Sequence, residues 1–271
     1  MKKILYVTDL HYQANGRKYY EEDLYLTASL RNHFHVVLCN PLDLASFEDN
    51  ADLIVLRNTG PSLNWKKEYL SFRQRVVSKT LNTFNSFNGK GDMNGKSYLL
   101  ELTRLGFPVI PTVDDYQNVS DLPISDHYLL KPIDGADSVG IKVVSAADLM
   151  LMNKLSDDTL IQPLLKIIYE VSFYFIDGEF QYALFAPDVL IRWELVTYQA
   201  TNNDLCFASQ FVKWNNLNCG IERVDACRIS DGRLLLVEHE DLNPYLSLSV
   251  LTSSVREKFV KRFIKALENT L

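Results

Sequence analysis

The segment 234–248 reads LLLVEHEDLNPYLSL. Its aliphatic lead-in is that of a buried strand, yet Glu238, His239, Glu240 and Asp241 interrupt it, and each ionised acid resists leaving water. Just upstream stands Asp231-Gly232, flanked by IERVDACRIS and RLLLVEHE. Asp-Gly between such runs signals a hairpin, because both residues accept the positive φ that a tight turn between twisted strands requires. A two-residue turn places Asp225 opposite Glu238 and Arg223 opposite Glu240, and strand alternation puts all four on one face. A three-residue turn would break that register. Like charges facing one another destabilise a bare hairpin. Either the face is solvated and its acids are hydrated and paired with Arg223, or Asp225, Glu238 and Glu240 together bind a hard divalent cation that prefers oxygen ligands. Mg2+ keeps several waters and combines a few carboxylates with substrate phosphates, so the second alternative implies a nucleotide. Asn243-Pro244 ends the strand, since proline cannot continue the ladder.

A second Asp-Gly hairpin precedes this one, SFYFI-DG-EFQYALF at 172–185. The tail from Ser253 is an amphipathic helix, with Ser254 and Glu257 as its capping box and Val260, Phe263, Ile264 and Leu267 as a core stripe. At the other end, KKILYVTD (2–9), HFHVVLCNP (33–41) and ADLIVLRNTG (51–60) are short apolar strands, separated by a helix over about 21–31. That alternation predicts a parallel sheet covered by helices, followed by a helix over about 65–81. The Asn- and Gly-rich run NTFNSFNGKGDMNG (82–95) is the natural domain junction. Beyond it come a helix closed by Gly106, the strand–loop–strand HYLLKPIDGADSVGIKVV (127–144), a short helix and the strand LIQPLL (160–165). The chain is therefore α/β (α+β).

The formal net charge of −6, from 28 basic and 34 acidic residues, argues against a general nucleic-acid binder, which needs a basic excess. Cys39, Cys206, Cys219 and Cys227 form no CxxC pair, and a chain of this size needs no disulfide frame, so reduced thiols and a cytoplasmic location are expected. No apolar run is long enough for a signal core or a membrane span, so no membrane partner is expected.

The order and spacing of these motifs resemble the ATP-grasp ligases, on the glutathione synthetase side. Glu238 to Pro244, E-x-E-x-x-N-P, looks like the family's metal-binding E-x-N-x-x-S-P stretch, with Glu240 where asparagine is usual. Leu56-Arg57-Asn58-Thr59, then N-x-K-x-Y-L-L-E-L at 94–102 leading to V-I-P-T, looks closer to the subgroup that includes the cyclo-ligase of cycloserine biosynthesis. The resemblance covers about 90–248 well and the first 80 residues in outline. It implies an amino-terminal substrate-side α/β domain (1–90), a lid subdomain (91–160) and a carboxy-terminal antiparallel-sheet domain that binds ATP and Mg2+ (161–271). Two Mg2+ ions are implied, with Mn2+ able to replace them, and a homo-oligomer is compatible with it.

The resemblance also implies roles. Lys96 and Lys131 hold nucleotide phosphates; a solvated lysine in a first helical turn is the plain alternative for Lys96. Asp134 to Gly140, with Gly135, Ser138 and Gly140, is the loop over the triphosphate, or else an ordinary hairpin loop. Gln162, Pro163 and Leu165 form the adenine hinge, with the Pro163 carbonyl and Leu165 amide reading the base. Glu170 takes the ribose hydroxyls, unless it merely begins a hairpin strand. Arg192 and Arg223 steady phosphate or an acyl-phosphate. At strand carboxyl ends, where open α/β sheets bind ligands, Arg57 could hold a substrate carboxylate, with Asp9, His11 and Asn243 nearby. The implied reaction is ATP-dependent ligation of a small-molecule carboxylate to an amine, or to a thiol, through an acyl-phosphate, releasing ADP and phosphate. A catalytically silent nucleotide- or partner-binding protein on the same fold, and a kinase that stops at phosphoryl transfer, are the alternatives.

Overall fold

The computed structural model describes residues 1–14, 17–57, 62–135, 140–152, 156, 158–188 and 190–271. Its first part contains β1 (Lys3–Val7), β2 (Gln13–Ala14), β3 (Arg17–Lys18), α1 (Tyr19–Leu30), β4 (His35–Cys39), α2 (Leu44–Phe47), β5 (Leu53–Leu56), α3 (Lys66–Lys79) and β6 (Thr83–Phe84). A parallel sheet runs β4-β1-β5-β6, and β2 pairs with β3 as a small antiparallel ribbon. The central strands are continuous apolar runs because both faces are covered. Ile4, Tyr6, Leu53 and Val55 pack with Leu26 and Leu30 of α1. Leu5, Val7, Ile54 and Leu56 face Phe72 of α3 instead. The Asn- and Gly-rich run is more ordered than a linker: Thr83 and Phe84 extend the sheet.

Acids buried in α1 stitch this sheet to the end of the chain. Asp23 accepts from Tyr6 Oη at 2.7 Å and Thr8 Oγ1 at 2.5 Å. Glu22 accepts from the Leu246 and Leu248 amides, both at 3.0 Å. Burial pushes the Glu22 carboxyl up from 4.5 to about 7, against the pull of Arg57 and those amides. The folded chain therefore binds this proton more tightly than the unfolded chain. The resulting stabilisation is complete below about pH 4.5 and is lost as pH rises through 7, a span of about 3 kcal/mol at most. In denaturation series from pH 4.5 to 7.5, Glu22→Gln is expected to make the downward slope shallower, leaving the share of other raised carboxyls such as Glu240; parallel wild-type and variant slopes would contradict it.

The middle of the chain holds α4 (Tyr98–Arg104), β7 (His127–Pro132), β8 (Lys142–Ser145), α5 (Ala146–Leu151) and β9 (Thr159–Pro163), with antiparallel order β8-β7-β9. Gly106, with φ 73°, follows α4 as expected of a terminating glycine. The last part holds β10 (Ile167–Ile176), β11 (Glu179–Ala186), β12 (Val196–Tyr198), α6 (Asn202–Asn215), β13 (Ile221–Ile229), β14 (Leu234–Glu240) and α7 (Ser253–Thr270). Its antiparallel sheet runs β12-β11-β10-β13-β14. The hairpin at Asp177-Gly178 has the expected two-residue turn, with φ 48° and 74° and Ile176 opposite Glu179.

Two helical details differ from expectation. α6 was not foreseen: Thr201 and Asp204 build a full capping box ahead of a polar Asn-Asn opening. The cap of α7 is Thr252, whose hydroxyl accepts from the Val255 amide, rather than Ser254. Its stripe of Val260, Phe263, Ile264 and Leu267 is buried, joined by Phe259. No helix among the described residues is long and apolar enough to cross a membrane.

Candidate active site

The hairpin of acids reaches the expected juxtaposition by an unexpected route. Ile229 N donates to Arg233 O at 3.0 Å and Gly232 N to Ile229 O at 2.9 Å, so Ser230, Asp231 and Gly232 form a three-residue loop. Gly232 carries its positive φ of 88°. This corrects the two-residue turn, and it shifts the ladder by one residue: Arg228 faces Leu234 and Ala226 faces Leu236. A β-bulge at Val237 then restores the register, because the extra residue on β14 lets Asp225 face Glu238 and Arg223 face Glu240. Without the bulge Asp225 would face Val237. The Val237 carbonyl instead accepts from Lys131 Nζ at 3.3 Å.

Asp225, Glu238 and Glu240 each offer an oxygen within 4.8 Å of the others. Three converging carboxylates are a donor set suited to a hard divalent cation. Arg223 lies among them: Nη2 donates to Asp225 at 2.7 Å and Glu240 at 2.6 Å, while Nη1 donates to the Tyr245 carbonyl at 3.1 Å. Lys96 and Lys131 approach from the other side, 3.1 and 3.7 Å from Glu238. Lys96 also pairs with Asp92, whose second oxygen accepts from Tyr98 Oη at 2.8 Å.

A close-packed loop presents Asp92 and Lys96. Asp241 is fully buried and accepts from the Gly91 and Met93 amides at 2.8 and 2.9 Å. A Cβ on Gly91 would lie 2.5 Å from the His239 carbonyl, and one on Gly89 would collide with the Asp241 carboxylate. These glycines permit close contact with β14, the strand that carries Glu238 and Glu240. On the other face of that strand, His239 is fully buried and paired with Glu222 at 2.9 Å.

The field is uneven. Burial opposes charge on Glu238, but Lys96, Lys131 and Arg223 outweigh it and hold its carboxyl well below the usual range. Burial pushes Glu240 up to about 8 despite Arg223, with Glu238 and Asp225 adding to the rise. Asp225 is also raised by burial. Burial lowers Lys131, whereas Asp92 and Glu238 overcome burial at Lys96 and raise it.

These groups line one cleft of about 280 Å3, together with Gly135, Glu170, Arg192 and Asn243. Glu170 accepts from Arg192 at 3.1 Å. Other expected site residues stand elsewhere. Arg57 is buried, donating to the Pro244 carbonyl at 2.6 Å and lying 3.6 Å from Glu22. Asn243, which does line the cleft, donates to the Arg57 carbonyl at 3.3 Å. Asp9 caps the His11 amide in a turn outside the cleft lining. Gln162 is buried and donates to Thr112 Oγ1 at 2.9 Å; Pro163 closes β9, and neither these two nor Leu165 lines the cleft. Gly140, with φ 80°, lies against Pro132. Ser138, Asn58 and Thr59 lie outside the described residues. Asp92 was missed in the sequence, although its place four residues before Lys96 is an ion-pair spacing.

No protein-family model matches the sequence, and no curated protein matches it. Solved structures match nearly the whole chain. D-cycloserine synthetase DcsG is 21% identical, with 99% of this chain and 100% of that chain covered and a TM-score of 0.75. D-alanine–D-alanine ligase from Bacillus anthracis, complexed with ATP, is 14% identical over 100% and 97% of the two chains, with a TM-score of 0.70. The ATP-grasp ligase PsnB, complexed with a phosphomimetic variant of its minimal precursor, Mg and ADP, is 16% identical over 97% and 96%, with a TM-score of 0.62. The chain thus has the ATP-grasp fold, with the parallel and antiparallel sheets expected of it.

Proposed function

We propose that this chain is an ATP-dependent ligase that joins a small-molecule carboxylate to an amine or thiol and releases ADP and phosphate. One observation carries the reading: on an ATP-grasp fold, the triad Asp225, Glu238 and Glu240 faces the buried lysines Lys96 and Lys131 across a single cleft. The three carboxylates would hold one or two Mg2+ ions, which when bound supply neutralisation of phosphate charge. Lys96 and Lys131, shielded from water, stabilise anionic oxygens more strongly than exposed lysines would. Arg223, tethered by the Tyr245 carbonyl, would steady the transferred phosphoryl group. Gly135 and the rest of the 134–140 loop are assigned to the phosphates, Gln162, Pro163 and Leu165 to the base, Glu170 to the ribose hydroxyls, and Arg192 with Arg223 to phosphate or the acyl-phosphate. Residues 1–90 would choose the substrate, 91–160 act as the lid and 161–271 hold nucleotide and metal.

In this scheme a substrate carboxylate oxygen attacks the γ-phosphorus and ADP leaves. An amine then attacks the acyl carbon, phosphate leaves and the amine loses a proton. No nucleophilic side chain is needed. Burial pushes the Cys39 and Cys227 thiols up to about 12, which keeps them unreactive. The test is ADP release from Mg·ATP with a panel of carboxylates, using hydroxylamine to trap the acyl-phosphate. A hydroxamate is expected with at least one carboxylate. Tight Mg·ATP binding without turnover would favour a silent binder, and a stable phosphorylated product that consumes no amine would favour a kinase.

A further inference from the structure

Five cationic side chains line the cleft: Arg17, Lys96, Lys131, Arg192 and Arg223. Four are matched by acids, Lys96 by Asp92 and Glu238, Lys131 by Glu238, Arg192 by Glu170, and Arg223 by Asp225 and Glu240. Among the described residues Arg17 has no carboxylate within 4.0 Å. It is nonetheless held in place. Its guanidinium lies 5.3 Å from the ring centre of Tyr19 and 5.1 Å from that of Tyr245, and Nη2 donates to Tyr19 Oη at 3.1 Å. The two rings touch, with centres 4.3 Å apart. Among the described residues its Nε, which is buried, has no hydrogen-bond partner. A cation fixed by aromatic faces at the wall of the cleft, with no acid of its own among the described residues, is suited to receive an anion.

Its position says which anion. Tyr245 carries Arg17 on its ring and Arg223 on its carbonyl. Arg17 is therefore separated by a tyrosine side chain from the group that bridges Asp225 and Glu240. One carboxylate cannot engage both ends. We propose that Arg17 binds a second anionic group of the substrate, one that does not react, so that the substrate class is a compact dicarboxylate, with or without an amino group. This rests on the ligase reading above, and it assigns substrate choice to the β2–β3 ribbon.

The experiment compares acids with their own monoamides, succinate with succinamate, aspartate with asparagine and glutamate with glutamine, by ADP release from Mg·ATP with hydroxylamine. In the wild type a diacid is expected to exceed its monoamide in kcat/KM by about tenfold or more. Arg17→Gln should bring the ratio near one by raising KM, with kcat and Mg·ATP affinity kept, and Arg17→Lys should restore part of it. A wild type that does not discriminate, or a ratio untouched in Arg17→Gln, overturns the proposal while leaving the ligase intact. Should Mg·ATP bind and no carboxylate turn over, the ligase reading falls. The anion site is then judged by calorimetric titration of succinate with Mg·ADP present. Binding about tenfold weaker in Arg17→Gln supports it, and equal binding overturns it.

Discussion

Glu238→Gln is expected to lower ADP release by about a hundredfold or more while the chain stays folded. Glu238 is the centre of the site: it belongs to the carboxylate triad, and it is the acid that Lys96 and Lys131 share. Glutamine keeps the shape and one acceptor oxygen but removes the charge. The proposed metal then loses a ligand, and two buried ammonium groups lose their common counter-ion, which leaves them repelling each other. Lys131→Ala is expected to lose activity comparably through a different route, by removing positive charge from the phosphate side while leaving the triad intact. Its ammonium also holds the bulge carbonyl of Val237, so the variant removes that tie as well. Steady-state turnover with circular dichroism as a folding control reads both variants. Unchanged rates in both would remove the site.

The second large effect concerns stability. Gly91→Ala is expected to destabilise the fold by about 3 kcal/mol, at the upper end for overpacking, because its new methyl would meet the His239 backbone carbonyl at 2.5 Å and the Asp241 carboxylate at 3.0 Å. Backbone yields less readily than a side chain end. For a chain of this length the melting midpoint should fall by about 5–10 °C. The loop that must move carries Asp92 and leads to Lys96, so nucleotide affinity is expected to fall together with stability. Calorimetric scanning and Mg·ATP titration test the pair, and a variant as stable as wild type would show that the loop is not packed as described.

Much of this was legible in the chain itself. The acids of 225–240 could be paired because an apolar ladder with a central Asp-Gly leaves few registers. The turn length could not, since Asp-Gly serves a two-residue turn at 177–178 and the end of a three-residue loop at 231–232. The same ambiguity hid the bulge, which has no residue signature of its own at Val237. Asp92 was obscured by its setting: the glycines of 82–95 suggest a loose junction, whereas Gly89 and Gly91 are small because Asp241 and the His239 carbonyl press against them. Arg17, Tyr19 and Tyr245 meet across more than two hundred residues without any periodic pattern to announce them. Arg57 was visible as a strand-end cation, but only the packing reveals that Glu22 and the Pro244 carbonyl engage it.

The bulge at Val237 has a practical corollary. Strand β13 is gripped by β10 along its other edge, with Ser172 beside Asp225 and Tyr174 beside Arg223, and the extra residue resets the alignment next to the acids. The tip itself, Ser230 to Gly232, is exposed. That exposed tip is a natural splice point for a reporter peptide or an immobilisation tag, because the bulge leaves the alignment of the acids set by the pairing of β13 with β10 rather than by the loop.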